Sequence, residues 1–326
     1  MSHALPAVRP ISLDEILAAR DRIAGTVFRT PLVPLDLGPG FPEILVKLET
    51  LQPINSYKLR GAANAVALLS PAERDRGVWT VSAGNAGQGV AWAARAAGIP
   101  CTVVAVESAP VAKLDRMREL GARVVPVPFD VAWQAMEEHQ FEGIAGTFIH
   151  PFDHHDFIAG HGTIALEILE DAPDIATVIA PIGGGGLIAG IGSVLKTLRP
   201  EIALVGSEPE TGSPAALTAA TGIPQPFPGW RASFVDGAGG KSMLPRMWQR
   251  IAPLVNQYVV VTLEETRAAM RLLASRARVV SEGAGALALA AALTGKAGNG
   301  PIAVIVSGGN IDLEKFATLI SAGSNS

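Results

Sequence analysis

The sequence predicts an α/β fold in which parallel β-sheets are covered on both faces by helices. Short apolar runs alternate with longer Ala-rich segments, and the runs contain few polar residues. Strands that are apolar on both faces are typical of parallel sheets buried between helices. Hydrophobic residues make up 48% of the chain, which is enough for a large core, and 326 residues correspond to two domains or one large domain.

The strands and helices can be assigned in chain order. The first helix begins at a capping box of Ser12 and Glu15, and Ile16, Ala19 and Ile23 form its inner stripe. Residues 30–32 are extended. Predicted strands are the apolar runs at residues 44–49, 78–81, 102–106, 123–127, 147–149, 177–180, 203–206, 258–261 and 302–306. Predicted helices are the Ala- and Leu-rich segments at residues 59–69, 87–97, 111–120, 131–142, 157–169, 187–198, 263–276 and 284–293. The Gly- and Pro-rich residues 222–240 form the longest irregular segment, and such loops are often functional.

The composition argues against several classes of protein. A net charge of −4 provides no basic surface for nucleic acid. No apolar run approaches the ~20 residues that span a bilayer, and the N-terminal residues lack a signal-peptide pattern. The single cysteine, Cys101, excludes an internal disulfide and a multi-cysteine metal site, and we expect a buried structural thiol. We therefore expect a cytoplasmic protein that binds neither nucleic acid nor membrane.

Lys58 is the first candidate for chemistry. Asn55 and Ser56 are predicted N-caps of the helix at residues 59–69, which places Lys58 in its first turn. The helix dipole and partial burial both favour a neutral amine there. A lysine that is partly neutral can form a Schiff base with an aldehyde cofactor. The alternative is a lysine on a solvated helix face, which this segment alone does not exclude.

Three loops follow predicted strands, at the sheet edge where α/β proteins bind ligands. The loop from Ser82 to Gly89 is built from small residues and precedes a helix, so it suits a carboxylate, and Asn85 and Gln88 can hydrogen-bond ligand oxygens. Four consecutive glycines, Gly183 to Gly186, leave bare N–H groups that suit a phosphate, without the pattern of a Walker A or dinucleotide loop. Ser307 can meet a ring nitrogen. Each loop also has a plainer interpretation as a turn or cap.

Together these features require an aldehyde, a phosphate and a ring nitrogen, which pyridoxal phosphate combines. The chain resembles the serine/threonine dehydratase family of fold-type-II pyridoxal-phosphate enzymes from about Thr30 to Asp312. The matching stretches are Ser56-Tyr-Lys-Leu-Arg-Gly61, Ser82-Ala-Gly-Asn85, His150-Pro-Phe152, Ile158-Ala-Gly-His-Gly-Thr163, Pro181-Ile-Gly-Gly-Gly-Gly-Leu187, Asp236-Gly237, Glu282-Gly-Ala-Gly-Ala286 and Ser307-Gly-Gly-Asn310.

This resemblance implies a fold with two open-twisted, mostly parallel sheets, as in the tryptophan synthase β-subunit. It implies a large cofactor domain of residues 1–69 and 154–326, a small mobile domain of residues 70–153 that carries the asparagine loop, and a homodimer. The implied cofactor contacts are Lys58 as the attachment point, Tyr57 beside the ring, Asn85 on the phenolic oxygen, Gly183, Gly184, Gly185 and Gly186 on the phosphate, and Ser307 on the pyridine nitrogen. The implied substrate loop is Ser82, Ala83, Gly84, Asn85 and Ala86.

The implied reaction is β-elimination from a hydroxy amino acid such as threonine or serine, giving a 2-oxo acid and ammonia. The sequence departs from the family at Ala86, where most dehydratases have His, and at His161, where they have Gln, so the substrate side chain stays open. An amino-acid racemase is an alternative, but the family's racemases have Ser where this chain has Ala83. A pyridoxal-phosphate-binding protein without turnover is the third possibility.

We expect neither a bound metal ion nor a regulatory domain. Some relatives bind a divalent cation through a Glu, which Glu208 matches, and an Asp, where this chain has Pro214; we therefore expect no metal. No regulatory domain follows Ser326, so we expect no allosteric control of the kind found in longer relatives.

Overall fold

The structure of the protein is a computed structural model that describes residues 7–298 and 300–321. The strands in this part of the chain are β1 (Leu32–Pro34), β2 (Ile44–Leu48), β3 (Val78–Val81), β4 (Cys101–Val106), β5 (Arg123–Val127), β6 (Thr147–Phe148), β7 (Thr177–Pro181), β8 (Ala203–Pro209), β9 (Gln257–Val261) and β10 (Ile302–Val306). The α-helices are α1 (Leu13–Ile23), α2 (Lys58–Ala67), α3 (Pro71–Arg76), α4 (Asn85–Ala96), α5 (Val111–Glu119), α6 (Phe129–Glu138), α7 (His155–Asp171), α8 (Gly186–Leu198), α9 (Pro214–Thr221), α10 (Pro245–Ile251), α11 (Leu263–Leu272), α12 (Gly283–Leu293) and α13 (Leu313–Ser321).

The strands form two sheets. A six-stranded sheet has the order β1-β2-β10-β7-β8-β9, in which β1 and β2 are antiparallel and every other pair is parallel. A four-stranded sheet has the order β5-β4-β3-β6 and is parallel throughout. All of its strands come from residues 78–148, between β2 and β7 of the larger sheet. The predicted α/β class with two mostly parallel sheets is therefore confirmed.

Helices cover both faces of the larger sheet, which explains why its strands are apolar throughout. In β10, Ala303 and Ile305 pack into one hydrophobic cluster with α7 and α8, whereas Ile302, Val304 and Val306 pack into another with α12. Successive side chains of a strand point to opposite faces, so a strand covered on both sides cannot carry the alternating polar residues of a half-exposed one. The smaller sheet is likewise packed between two clusters, which include residues of α4 and α6 respectively.

The sequence located the main elements, usually to within a few residues at each end. The capping box of Ser12 and Glu15 is present, and the predicted stripe of Ile16, Ala19 and Ile23 is buried. Helices α3, α9, α10 and α13 were missed. The first three each have proline at their start, the position that tolerates a missing N–H. The predicted helix at residues 263–276 ends in a π-helical turn, Leu273–Ala277.

The predicted N-cap of the Lys58 helix is wrong. Helix α2 begins at Lys58 without a side-chain cap, and Asn55 has a left-handed backbone with φ of 54°. The cause is tertiary pairing: the N–H of Tyr57 donates to Ser307 O at 3.1 Å, and the N–H of Gly309 donates to Asn55 O at 2.9 Å. These bonds fix the chain before the helix from outside the segment.

A buried ionic network holds α2 against the larger sheet and α7. Arg60 donates to both carboxylate oxygens of Glu49, each at 2.8 Å, and to Glu167 on α7 at 2.6 Å. Lys47 on β2 contacts Glu167 at 2.5 Å and donates to Thr30 O at 2.6 Å. Burial raises the pKa of Glu49, but the Arg60 guanidinium outweighs it and holds that pKa below its ordinary value. The network therefore fixes the start of α2 relative to the sheet.

Residues 222–240 contain neither a helix nor a strand, as predicted. Cys101 is buried as a free thiol, and burial raises its pKa to about 12, which fits the structural role expected for it. In the described part of the chain, no helix is long and apolar enough to cross a membrane.

Candidate active site

A cavity of about 530 Å³ opens at the carboxyl ends of strands from both sheets. Val81 at the end of β3 and Pro181 at the end of β7 are part of its wall. The sequence-predicted residues in its lining are Tyr57, Lys58, Ser82, Ala83, Gly84, Asn85, Ala86, Gly183, Gly184 and Ser307. Of the predicted set, Gly185, Gly186 and Gln88 do not line the cavity. Its volume is typical of a pocket for a small molecule or cofactor.

Lys58 is the first residue of α2 and is partly buried at the floor of this cavity. Its Nζ donates to Pro151 O at 2.7 Å and lies 5.3 Å and 5.5 Å from the ring centres of Tyr57 and Phe157. Burial lowers the pKa of Lys58 to about 7, although the carboxylate of Glu282 opposes the shift. A substantial fraction of this amine is therefore unprotonated near neutral pH, as a nucleophile or base requires.

Asn85 is held between two side chains from distant parts of the chain. Its Nδ2 donates to Glu282 Oε1 at 2.7 Å, and its Oδ1 accepts from Asn310 Nδ2 at 2.7 Å. Burial and the nearby Asp236 raise the pKa of Glu282 to about 7. The two bonds fix which way the Asn85 amide faces. Sequence reasoning missed Glu282 as a site residue, although it opens one of the stretches that carry the family resemblance.

The glycine loop joins β7 to α8 and exposes free donors. Within the described residues, the backbone N–H groups of residues 183–187 donate no hydrogen bond. A Cβ at Gly184 would lie 2.2 Å from Phe152 Cγ, and one at Gly183 would lie 3.0 Å from Gly237 O. The loop therefore packs too closely to carry side chains, and unpaired N–H groups at the start of a helix suit an anion.

A second set of free donors lies at the start of α4. The N–H groups of Asn85, Ala86 and Gly87 donate no hydrogen bond among the described residues. Ser82 Oγ accepts the N–H of Gly84 at 3.1 Å and so stabilises the turn that precedes the helix. A carboxylate at this helix start would be favoured by the donors and by the helix dipole. Gln88, expected beside it, is buried on α4.

Ser307 follows β10, is buried and lines the same cavity. Its Oγ lies 3.5 Å from Ala284 O, a weak contact that leaves the hydroxyl available to a ligand. His161 packs edge-on against Tyr57 and Phe157, with ring centres 4.7 Å and 4.9 Å away. Neither of its ring nitrogens has a hydrogen-bond partner in the described chain, and burial holds its pKa well below the ordinary value. His161 is thus a neutral packing residue.

Glu208 is engaged by the protein itself. Its carboxylate accepts the N–H groups of Ala215 and Ala216 at 3.0 Å and 2.8 Å, at the start of α9. Burial raises its pKa to about 7, against the effect of these two bonds. The described residues contain no group of three His, Cys, Asp or Glu side chains that could hold a metal. His154 accepts the N–H of Phe157 at the start of α7.

Comparison with known proteins identifies the class to which this fold and site belong. Residues 23–308 match the family model described as pyridoxal-phosphate dependent enzyme. The L-threonine ammonia-lyase of Thermotoga maritima is 38% identical over 320 residues, covering 96% of this chain and 79% of the relative. The catabolic L-threonine dehydratase TdcB of Staphylococcus aureus is 36% identical over 327 residues, covering 97% and 93%.

Two solved structures share this fold over nearly the whole chain. Maize serine racemase superposes with a TM-score of 0.86 at 31% identity, covering 96% of this chain and 98% of that one. The threonine deaminase of T.th. superposes with a TM-score of 0.81 at 35% identity, covering 92% and 99%. The protein is therefore a fold-type-II enzyme that depends on pyridoxal phosphate. Within that class, the chain belongs to the serine/threonine dehydratase family.

Proposed function

We propose that the protein is an ammonia-lyase that converts a β-hydroxy amino acid of L configuration into a 2-oxo acid and ammonia. The observation that carries this proposal is the convergence of Lys58, Asn85, the glycine loop and Ser307 on one cavity. The named activities of the Thermotoga and Staphylococcus relatives support the same reaction.

The residues of the cavity fit pyridoxal phosphate. The unpaired N–H groups of Gly183 to Gly186 would hold its phosphate, Ser307 would meet its ring nitrogen, and Tyr57 would pack beside the ring. The second N–H of the Asn85 amide is available for its phenolic oxygen. Lys58 would carry its aldehyde carbon. When bound, the cofactor supplies an electron sink for the charge that develops at the substrate α-carbon.

The protein's own groups supply the remaining chemistry. The free N–H groups at the start of α4, with Ser82, Ala83, Gly84, Asn85 and Ala86 around them, bind the substrate carboxylate and place the α-carbon beside Lys58. The unprotonated Lys58 amine then removes the α proton as general base. Ser307 is a neutral hydroxyl and, unlike a carboxylate, does not hold a proton on the ring nitrogen. Charge at the α-carbon is then less stabilised, which favours prompt loss of the β-hydroxyl.

We also propose that residues 70–153 form a small mobile domain and that residues 1–69 and 154–326 form the large cofactor domain. The separate four-stranded sheet supports this division, because the cavity lies where the two sheets meet. Faster hydrogen exchange of the Asn85 loop without substrate than with it is the expected result. Equal exchange in both states would contradict the mobility.

A homodimer and a cytoplasmic location complete the proposal. The dimer rests on the family resemblance, and exposed Leu51, Phe28 and Leu313 provide apolar surface for an interface. Light scattering of the holoenzyme should give twice the 33.7 kDa of one chain. The single buried cysteine supports the cytoplasm, which cell fractionation would test.

A racemase is the second candidate, because maize serine racemase shares the fold closely. Ala83 argues against it, since racemisation needs a proton donor opposite Lys58 and a methyl group supplies none. We expect 2-oxo acid as the main product and residual substrate that keeps its configuration. Ala83→Ser should add measurable racemisation. Chiral chromatography of the residual substrate, together with a 2-oxo acid assay, decides between the two reactions. If the wild-type enzyme racemises its substrate faster than it releases 2-oxo acid, the lyase assignment is overturned. If no hydroxy amino acid is turned over, the protein binds the cofactor without catalysis.

Two substitutions at Gly184 test cofactor binding and separate the effect of side-chain charge from the effect of side-chain size. Gly184→Asp and Gly184→Asn add side chains of equal shape beside Phe152, but only Asp adds a negative charge near the phosphate. We expect Asp to weaken pyridoxal-phosphate binding by about a hundredfold more than Asn, because like charges a few ångströms apart repel by a few kcal/mol at an effective dielectric near 20. Equilibrium titration of the apoenzymes measures this ratio. If both variants fold and bind the cofactor with equal and measurable affinity, the phosphate does not lie at this loop.

A further inference from the structure

We propose that three rings at the cavity mouth, Phe129, Trp133 and Trp230, select hydroxy amino acids that carry a large apolar or aromatic group on the β-carbon. The inference rests on the proposed lyase function and deepens it by naming the substrate class. We call these three residues the aromatic wall. None of these three side chains takes part in the proposed proton transfer or cofactor binding.

The aromatic wall lines the same cavity as Lys58, but its residues come from other elements of the fold. Phe129 and Trp133 lie one turn apart on α6, with ring centres 6.0 Å apart and planes 19° apart, in a stacked arrangement. Met136, on the same helix, also lines the cavity. Trp230 comes from the irregular segment at residues 222–240 and lines the cavity too. Two separate segments thus present flat apolar surface to one space.

Two of the three rings are largely exposed although their burial would stabilise the fold, whereas Trp133 packs partly against the core beside the smaller sheet. Phe129 is 46% exposed and Trp230 is 39% exposed. Large exposed apolar residues that share a concave surface mark ligand-binding grooves. The indole N–H of Trp230 donates to Gly239 O at 3.1 Å, which satisfies its polar edge.

The charged groups around the wall already have partners. Lys241 lies over the rings of Phe129 and Trp230, 4.3 Å and 4.8 Å from their centres, and so joins the two segments by cation–π contacts. Lys113 pairs with Asp236 at 2.5 Å. A substrate with a distal carboxylate would have to displace Asp236 from Lys113. An apolar or aromatic group needs no such displacement.

Two side chains of the substrate loop add apolar surface to the same cavity. Ala83 and Ala86 place methyl groups where the loop meets the cavity. These small residues leave room for a bulky β-substituent, and they offer it no hydrogen bond. A ring that enters between the loop and the wall would lose its hydration without leaving polar groups unpaired. The site therefore favours 3-phenylserine and similar substrates over threonine and serine.

The kinetic test compares 3-phenylserine, threonine and serine by kcat/KM with the holoenzyme. We expect phenylserine to exceed threonine roughly tenfold or more, as a contact with an aromatic side chain allows. Phe129→Ala should lower kcat/KM for phenylserine several-fold and leave threonine nearly unchanged. Val131→Ala is the matched control, because Val131 lies on the same helix, is also exposed and does not line the cavity. Since Phe129 is half exposed, its removal should not prevent folding.

A binding measurement separates this inference from the lyase proposal. L-phenylalanine and L-alanine lack a β-hydroxyl, so neither can be dehydrated, and each can be titrated by the change in cofactor absorbance. We expect L-phenylalanine to bind wild-type enzyme at least tenfold tighter than L-alanine, and Trp133→Ala and Phe129→Ala to reduce that preference. Equal binding of the two, or an unchanged preference in both variants, overturns the aromatic wall even if threonine is dehydrated. A strong preference for L-phenylalanine without 2-oxo acid from any hydroxy amino acid supports the wall and refutes the lyase.

Discussion

Replacing Lys58 by alanine is expected to lower kcat/KM for the preferred hydroxy amino acid by at least about 10²–10⁴-fold, the contribution of a positioned general base. Lys58 lines the cavity, donates to Pro151 O at 2.7 Å and has a pKa lowered to about 7 by burial. Removing its amine removes both the proposed base and the proposed attachment point of the cofactor. The 2-oxo acid assay measures the loss.

The matched control is Lys196→Ala on α8, because Lys196 is exposed and lies outside the cavity. Its activity should equal that of the wild type. Borohydride reduction of the wild-type holoenzyme, followed by peptide mapping, should place the cofactor on Lys58. A label on Lys47, Lys113 or any other lysine would contradict the assignment whatever the kinetics of Lys58→Ala.

Arg60→Met is expected to lower the free energy of unfolding by about 3–5 kcal/mol, because it leaves buried carboxylates without their main partner. Arg60 is fully buried and binds Glu49 through two hydrogen bonds of 2.8 Å. Met keeps much of the side-chain length while the charge and donors are lost. Among the described residues of this network, only Lys47 would remain as a cation to balance Glu49 and Glu167. Urea denaturation at neutral pH, with saturating cofactor, gives the difference.

Arg20→Met is the control for this measurement. Arg20 pairs with Glu170 at 3.2 Å, but its side chain is 45% exposed. An exposed pair contributes only about 0–1 kcal/mol, so the variant should unfold near the wild type. If Arg60→Met were no less stable than Arg20→Met, the buried network would not be what holds α2 in place.

Acid should weaken the same network. The folded pKa of Glu49 lies below its ordinary value of 4.5, so its stabilising effect is complete above that value. It is lost as the pH falls through the lower folded pKa.

The sequence by itself determined the parallel α/β class and the position of the candidate loops. Both depend on local patterns: strands apolar on both faces require a sheet buried between helices, and small residues after such a strand mark its carboxyl end. Because the carboxyl ends of parallel strands meet at one edge of a sheet, Gly183 and Ser307 could be expected near one another before any coordinates were known. Ser82 follows a strand of the smaller sheet, and only the packing of the two sheets brings it to the same cavity. The capping box of α1 could also be predicted from the sequence, because it involves residues only three positions apart.

Only the tertiary structure decided what surrounds those loops. Asn85 is oriented by Glu282, 197 positions away, and by Asn310, 225 positions away. The start of α2 is set by pairing with the backbone after β10, which overrides the capping preference of Asn55. The aromatic wall likewise depends on how α6 and residues 222–240 face one cavity. A hydrogen bond or ring contact between distant segments leaves no periodic trace in either one, because its geometry exists only after the two sheets have packed.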